Sequence, residues 1–334
     1  MARRRLFAFV LGACSALLCL GVLELSAAWV YGRPGMRFGI EMWKYAKYVK
    51  VRSDDPEISH LHRPGAQAFL MGVDVRINSV GLRDREISVE KPAGTYRILV
   101  LGDSTTLGWG VPFDRLFTKL LERSLNANPP SPRYRRYEVL NGGVGNYNTA
   151  QEAAWFKAHG VRLNPDMVVV AWFINDAEPT PRLSRNWLAS HSFAYVGIAS
   201  TVDVLLRRIG VRPTYKDYYQ SLYVASQTGW LKSQAAFAEL RDLCRTRGMS
   251  MRILLIPELH TLGGRYEFAG VHDLIREVGR RTGTPVLDLL DAFPEAADPS
   301  KLWVSPGDSH PGGVANELMA RKIDATLRSE NWIR

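Results

Sequence analysis

Cysteine is scarce in this 334-residue chain, which has three. Cys14 and Cys19 fall inside an apolar run and Cys244 stands alone in a stretch with helical spacing. Neither a disulfide framework nor a cysteine-based metal site is therefore available. Acidic charge is in deficit: 33 Asp and Glu face 43 Lys and Arg, leaving a net charge of +10. No basic segment shows the aromatic interleaving or motif spacing of nucleic-acid readers, so nucleic acid is excluded as a partner and a membrane surface suits the charge better. Long hydrophobic runs are absent save one. Leu6 to Leu23 carries no charge and follows Arg3, Arg4 and Arg5; about 18 such residues is near the minimum for spanning a bilayer. The run reads as a single membrane anchor within residues 1–34. A lipoprotein signal at Leu11-Gly12-Ala13-Cys14 fails on length, because only Leu6 to Val10 would precede it; a signal peptide cleaved near Ser26-Ala27-Ala28 is the remaining alternative. Basic residues crowd both flanks, and the bulk of the chain is expected outside the cytoplasm.

With 46% hydrophobic residues, the remainder can bury an ample core. Residues 35–96 form a polar lead-in punctuated by Pro and Gly, expected to pack on the main domain, in which Val73-Asp74-Val75-Arg76-Ile77 alternates like an exposed strand. His60 and His62 have metal-ligand spacing, but no third ligand is suggested nearby and they read as surface histidines. Arg97 to Leu101 then reads as a buried strand that stops at Gly102-Asp103-Ser104. Helical spacing runs from Phe113 to Asn126, a second strand covers Tyr137 to Leu140 and ends in Asn141-Gly142-Gly143, and a helix follows from Thr149 to His159. Asp166 to Ile174 is a third strand, apolar enough to be central, and stops at Asn175-Asp176. Met251 to Ile256 and Pro285 to Leu289 make five strands, with helices near Val271–Arg281 and Gly313–Leu327. Such alternation predicts an α/β fold, a parallel sheet covered by helices on both faces.

Residues 177–229 interrupt the pattern where a loop at the carboxyl end of the third strand belongs, and loops there carry specificity. Tyr215, Tyr218, Tyr219 and Tyr223 recur at helical spacing, either as the packing face of a lid helix or as a stacking surface for a sugar or acyl chain. Val202 to Val211 is amphipathic and basic, as in helices that lie against lipid.

In a parallel sheet the carboxyl ends of the strands converge. Ser104, Gly143 and Asn175 sit at three such ends, and Asp308-Ser309-His310 precedes the last helix. Acyl transfer through a serine needs a base, a group to orient it, and donors for the tetrahedral oxyanion. His310 is the candidate base and Asp308 its orienting partner; the candidate donors are the backbone N–H groups of Ser104 and Gly143 and the Asn175 amide.

Over Arg97 to Leu327 the sequence resembles the SGNH hydrolases, also called the GDSL family of esterases and lipases. The blocks that carry the likeness are Gly102-Asp103-Ser104, Asn141-Gly142-Gly143, Asn175-Asp176 and Asp308-Ser309-His310, and Ile77 to Asp84 looks like the lead-in of membrane-anchored bacterial members. The resemblance implies a three-layer α/β/α flavodoxin-like sandwich over residues 97–330, no cofactor and no metal. It also implies an ester substrate, an acyl or acetyl ester of an envelope glycan, a lipid or a small ester. O-acyl transfer by the same site and a non-catalytic glycan- or lipid-binding module are the alternatives. Three positions depart from the family pattern: Phe173 replaces a Gly, Asn146 stands where a further Gly is common, and Asp308 lies two residues before His310 where many members have three, which leaves a backbone carbonyl as the alternative partner to orient His310.

Overall fold

The computed structural model describes residues 2–33, 38–181, 186–262, 265–293 and 298–333. A long helix α1 (Ala2–Tyr31) leads into α2 (Phe38–Tyr48) and two small antiparallel pairs, β1 (Lys50–Arg52) with β2 (His60–His62) and β3 (Gln67–Leu70) with β4 (Val73–Arg76). The main unit then runs β5 (Thr95–Gly102), α3 (Ser104–Leu107), α4 (Phe117–Ala127), β6 (Arg136–Gly143), α5 (Thr149–Trp155) and β7 (Met167–Trp172). An inserted α6 (Trp187–His191), α7 (Phe193–Arg208) and α8 (Tyr215–Ser221) precede α9 (Thr228–Thr246) and β8 (Ser250–Leu255). The chain closes with α10 (Ala269–Thr282), β9 (Val286–Asp288), the antiparallel pair β10 (Trp303–Ser305) and β11 (Asp308–Pro311), and α11 (Gly313–Ser329).

The five-stranded sheet is parallel throughout, in the order β6-β5-β7-β8-β9. Strand alternation divides its apolar runs between two cores. Ile98, Val100, Met167 and Ala171 face α4 and α11, whereas Leu99, Leu101, Val168 and Val170 face α5, α9 and α10. All eight residues of β5 are buried, so β5 carries the following turn on a rigid base.

Two helices are shorter than their periodicity predicts. The stretch from Phe113 begins as a single 3-10 turn, because Leu116 is extended and buried; α4 starts only after it. The helix from Thr149 keeps α geometry to Trp155 and then widens into a π turn at Phe156–Gly160. The larger correction concerns His60 and His62, which are buried and not surface residues. The β1–β2 pair folds them against the second sheet turn, where the Gly145 N–H donates to Tyr45 Oη (2.9 Å) and that hydroxyl lies 2.6 Å from His62 Nε2. The other His62 nitrogen lies 3.1 Å from the Gly81 carbonyl, and His60 Nε2 lies 3.1 Å from that of Gly145. Burial pushes both imidazoles down to about 3, so they are neutral. Among the described residues no cluster of three or more His, Cys, Asp or Glu is arranged to hold a metal.

Candidate active site

Ser104 is the first residue of α3, directly beyond β5. Asp103 caps the helix, its Oδ1 accepting from the N–H and the hydroxyl of Thr105, both at 2.7 Å. The single helical turn ends at Gly108, whose φ of 80° is the left-handed conformation glycine adopts without strain. A buried arginine from the lead-in meets the carbonyls at its end: Arg83 donates to the oxygens of Leu107 (2.8 Å), Gly108 (2.6 Å) and Val111 (2.7 Å), and the Gly108 oxygen also accepts from the Val111 N–H (3.0 Å). Arg83 lies in the Gly81-Leu82-Arg83-Asp84 block that sequence alone singled out only by likeness.

His310 sits on β11, and the extended backbone puts it on the same side as Asp308. Ser104 Oγ lies 2.9 Å from His310 Nε2, and His310 Nδ1 lies 2.5 Å from Asp308 Oδ1. An N–H on Nδ1 facing a carboxylate leaves Nε2 free to accept the serine proton. Asp308 Oδ1 also accepts from the His310 backbone N–H (3.1 Å), and its Oδ2 accepts from Trp109 Nε1 (3.0 Å). Burial alone would raise the Asp308 carboxyl; the bonds from His310 and Trp109 outweigh it and hold the group below its ordinary value. The two-residue spacing from Asp308 to His310 therefore brings the groups together without a backbone carbonyl. Phe38, the first residue of α2, stacks on the His310 ring with centroids 5.4 Å apart. Sequence reasoning missed Trp109 and Phe38: an indole after a tight turn and an aromatic beside the apolar run carry no local mark of a partner some 200 residues or more away.

Of the three expected oxyanion donors, Asn175 faces the nucleophile turn, its Nδ2 donating to Asp103 Oδ2 at 2.8 Å through one of its two hydrogens. The Ser104 N–H opens α3. The Gly143 N–H is not available, because it donates to Asn141 Oδ1 at 3.0 Å. Gly143 serves instead by having no side chain, since a Cβ there would sit 2.2 Å from the Leu107 nitrogen. In the same turn the N–H groups of Val144, Gly145 and Tyr147 are bonded to Gly102 O, Tyr45 Oη and Val144 O. The amide left over is that of Asn146, which has a φ of 67° where the resemblance expects a further glycine. Lys50 steadies this turn through the Gly145 carbonyl (2.5 Å) and Asn146 Oδ1 (2.9 Å).

The inserted helices reach the site through tyrosines. Tyr223 donates to the Ile174 carbonyl at 2.7 Å, and Tyr218 and Tyr219 bond Glu178, whose carboxyl burial raises. Tyr215 packs edge-on against Tyr219, with centroids 4.7 Å apart. The tyrosine stripe is in the main the packing face of α8.

Solved structures to which the chain is similar include LAE5, an alpha/beta hydrolase enzyme from the metagenome of Lake Arreo, Spain (18% identity, TM-score 0.44, covering 69% of this chain and 94% of that one). TesA is similar at 16% identity and a TM-score of 0.44, over 70% and 98% of the two chains. An acetyl-xylooligosaccharide esterase from Geobacillus Stearmophilus is similar at 17% identity and a TM-score of 0.44, over 72% and 96%. No curated protein matches the sequence. Residues 100–318, well over half of the chain and spanning every candidate residue above, match the profile of one enzyme family. The protein belongs to the GDSL-like lipase/acylhydrolase family.

Proposed function

We infer that the chain hydrolyses acyl esters with Ser104 as nucleophile, His310 as general base and Asp308 as the carboxylate that orients it. The observation that carries this reading is the unbroken chain from Ser104 Oγ to His310 Nε2 (2.9 Å) and from His310 Nδ1 to Asp308 (2.5 Å). His310 takes the hydroxyl proton as Ser104 attacks the ester carbonyl and returns it to the departing alcohol; the same imidazole then activates the water that releases the acid. The developing oxyanion is met by the Ser104 N–H, the second Asn175 amide hydrogen and the unspent N–H of Asn146, in place of Gly143. One such donor is worth on the order of a hundredfold to a thousandfold in rate.

In this reading residues 97–330 are the catalytic unit, residues 35–96 brace it, and residues 177–229 form a lid that decides which ester enters. Helix α1 is 30 residues long with a mean hydropathy of 2.5 in its most apolar window. It has the length and composition to cross a bilayer, and we assign it as a single-pass anchor with the catalytic unit outside the cytoplasm. Reporter fusions at Gly32 and at the carboxyl terminus test the side. Activity is tested without knowledge of the substrate by treating the full-length protein in detergent with a fluorophosphonate and locating the adduct by mass spectrometry. An adduct on Ser104 that is lost in His310→Ala is the expected result. A folded protein that stays unlabelled, or is labelled elsewhere, overturns the assignment.

A further inference from the structure

Behind the Asn175 turn lie three carboxyl groups that the reaction above does not use. Asp103, Glu152 and Asp176 are each 1% exposed or less. None of them forms an ion pair with a lysine, arginine or histidine among the described residues. Asp103 is provided for, with donors from Thr105 and Asn175. Asp176 accepts from the Phe173 N–H (2.7 Å) and from the Thr149 hydroxyl (3.0 Å). Glu152, on α5, is different: no N–H or hydroxyl donor reaches either of its oxygens, and the group it meets is the Asp176 carboxyl. Two carboxylates in contact inside a core cannot both be ionised, because each would be desolvated and repelled by the other with nothing to offset the cost. A single proton shared between them removes the conflict and supplies the missing bond.

Burial and Asp103 raise Asp176 as well, and it is the donors that decide which of the two acids holds the proton. Phe173 and Thr149 favour charge on Asp176, whereas nothing favours charge on Glu152. We propose that Glu152 is a positioning residue: it stays protonated, donates its proton to Asp176, and so fixes the Phe173–Asp176 turn that aims the Asn175 amide. Burial is the largest cause acting on Glu152 and raises it well above its ordinary value, and Asp176 and Asp103 raise it further. The remaining titratable groups facing the pair are phenols, Tyr147 before α5 and Tyr223 after α8, both neutral and raised by burial. Glu178, at the root of the insertion, is also raised by burial. Among the described residues no cation opposes the proton. The functional half of this proposal rests on the reading of Asn175 as an oxyanion donor; the protonation of Glu152 does not.

The test is run on the full-length protein in detergent micelles with Glu152→Gln, an isostere of the neutral acid that still offers a donor to Asp176, and with Glu152→Ala. An acid kept neutral in the fold ionises on unfolding above its ordinary value near 4.5, so wild-type stability declines as pH rises where the Gln variant does not. The unfolding constant of wild type relative to Glu152→Gln is expected to grow about tenfold per pH unit between pH 5 and 7. A ratio that stays flat means Glu152 is ionised in the fold and overturns the proposal. In activity, Glu152→Ala is expected to lose roughly tenfold to a hundredfold in kcat with KM little changed, and Glu152→Gln to restore most of it. If Ala fails to fold, the pH dependence of the Gln variant still decides the protonation. Equal activity of the two variants overturns the positioning role. A Ser104 that takes no fluorophosphonate while the tenfold ratio holds overturns the site reading and the positioning role with it, and leaves the proton on Glu152 standing.

Discussion

Two loops leave adjacent strands of the sheet at the same end and are built on opposite terms. The turn after β5 is closed: Ser104 to Trp109 are all buried, and the carbonyls that follow α3 are taken by Arg83. The insertion after β7 is open: Trp187 is 67% exposed, and Ile198, Val202, Leu205 and Ile209 are all exposed. The insertion is tied down chiefly at its root and flank, by Tyr223 on Ile174, by Trp43 on Ala189, and by Glu24, whose carboxylate accepts from the first amides of α7. The difference is physical economy. Chemistry needs fixed distances, so the first loop is over-determined by buried polar bonds; selection among esters needs a surface that can change, so the second is held by few.

The comparison breaks most sharply at the nucleophile. Ser104→Ala removes the attacking oxygen without opening a cavity, and hydrolysis is expected to fall by at least ~10⁴-fold, with thermal unfolding nearly unmoved. Residual turnover near the wild-type rate, measured on a chromogenic short-chain ester, would shift the chemistry to another residue. Asp308→Asn should cost on the order of 10³- to 10⁴-fold in kcat, because an amide facing Nδ1 favours the wrong tautomer of His310. The same variant carries a pH signature. The Asp308 carboxyl is held below its ordinary value of 3.8, so its stabilisation is present above that value and is lost as pH falls through the lower folded one. Acid unfolding below about pH 4 should therefore be shallower in Asp308→Asn than in wild type.

The brace behind the closed loop gives the next largest effect. His60 and His62 titrate near 3 in the fold and near 6.5 when unfolded, so the unfolded chain gains protons first as pH falls. Stability from these two groups is full above pH 6.5 and declines below it, by roughly 1.4 kcal/mol per pH unit for each. Urea midpoints at pH 7 and pH 5 measure the decline, and His60→Gln with His62→Gln should flatten it. A midpoint that does not move would mean the β1–β2 pair opens to admit solvent, and the lead-in would then belong with the insertion and not with the site.

Much of this was legible in sequence because it is local. Strand runs such as Ile98–Leu101 and Val168–Val170 announce themselves, and the residues at their ends follow from the convergence of a parallel sheet. The Asp308-Ser309-His310 spacing could be read because an extended strand puts alternate residues on one side. What was hidden depends on side-chain partners that carry no pattern. The fate of the Gly143 N–H turns on Asn141, whose side chain reaches forward two residues to it, and the burial of His60 and His62 turns on the distant Tyr45 and Gly145. Arg83 fills its role only because α3 is a single turn, beyond which three carbonyls lie within reach of one guanidinium. None of these has a period or a spacing; each is a hydrogen bond found by a chain already folded.

The smallest effect is expected in the open loop, and it sharpens the comparison by its size. Ile198, Val202, Leu205 and Ile209 follow an i, i+4, i+7, i+11 spacing, one stripe along α7 to its C-cap. Gly197 on another side of the helix meets Tyr31, and Ser200 meets Gly39. The stripe is thus the side that α1 and α2 leave uncovered, and its side chains bury little area within the chain. Val202→Ser and Leu205→Ser should each change the urea midpoint by the equivalent of about 0.5 kcal/mol or less, whereas a core Leu cut back similarly costs about 2–5 kcal/mol. The turnover of a short, water-soluble ester should be unchanged, because the stripe faces away from α2, whose Gly39 meets Ser200 and whose Phe38 stacks on His310. A loss of 2 kcal/mol or more at either position would mean that α7 is covered by another part of the folded protein. The insertion would then be as fixed as the nucleophile turn, and the contrast between the two loops would fail.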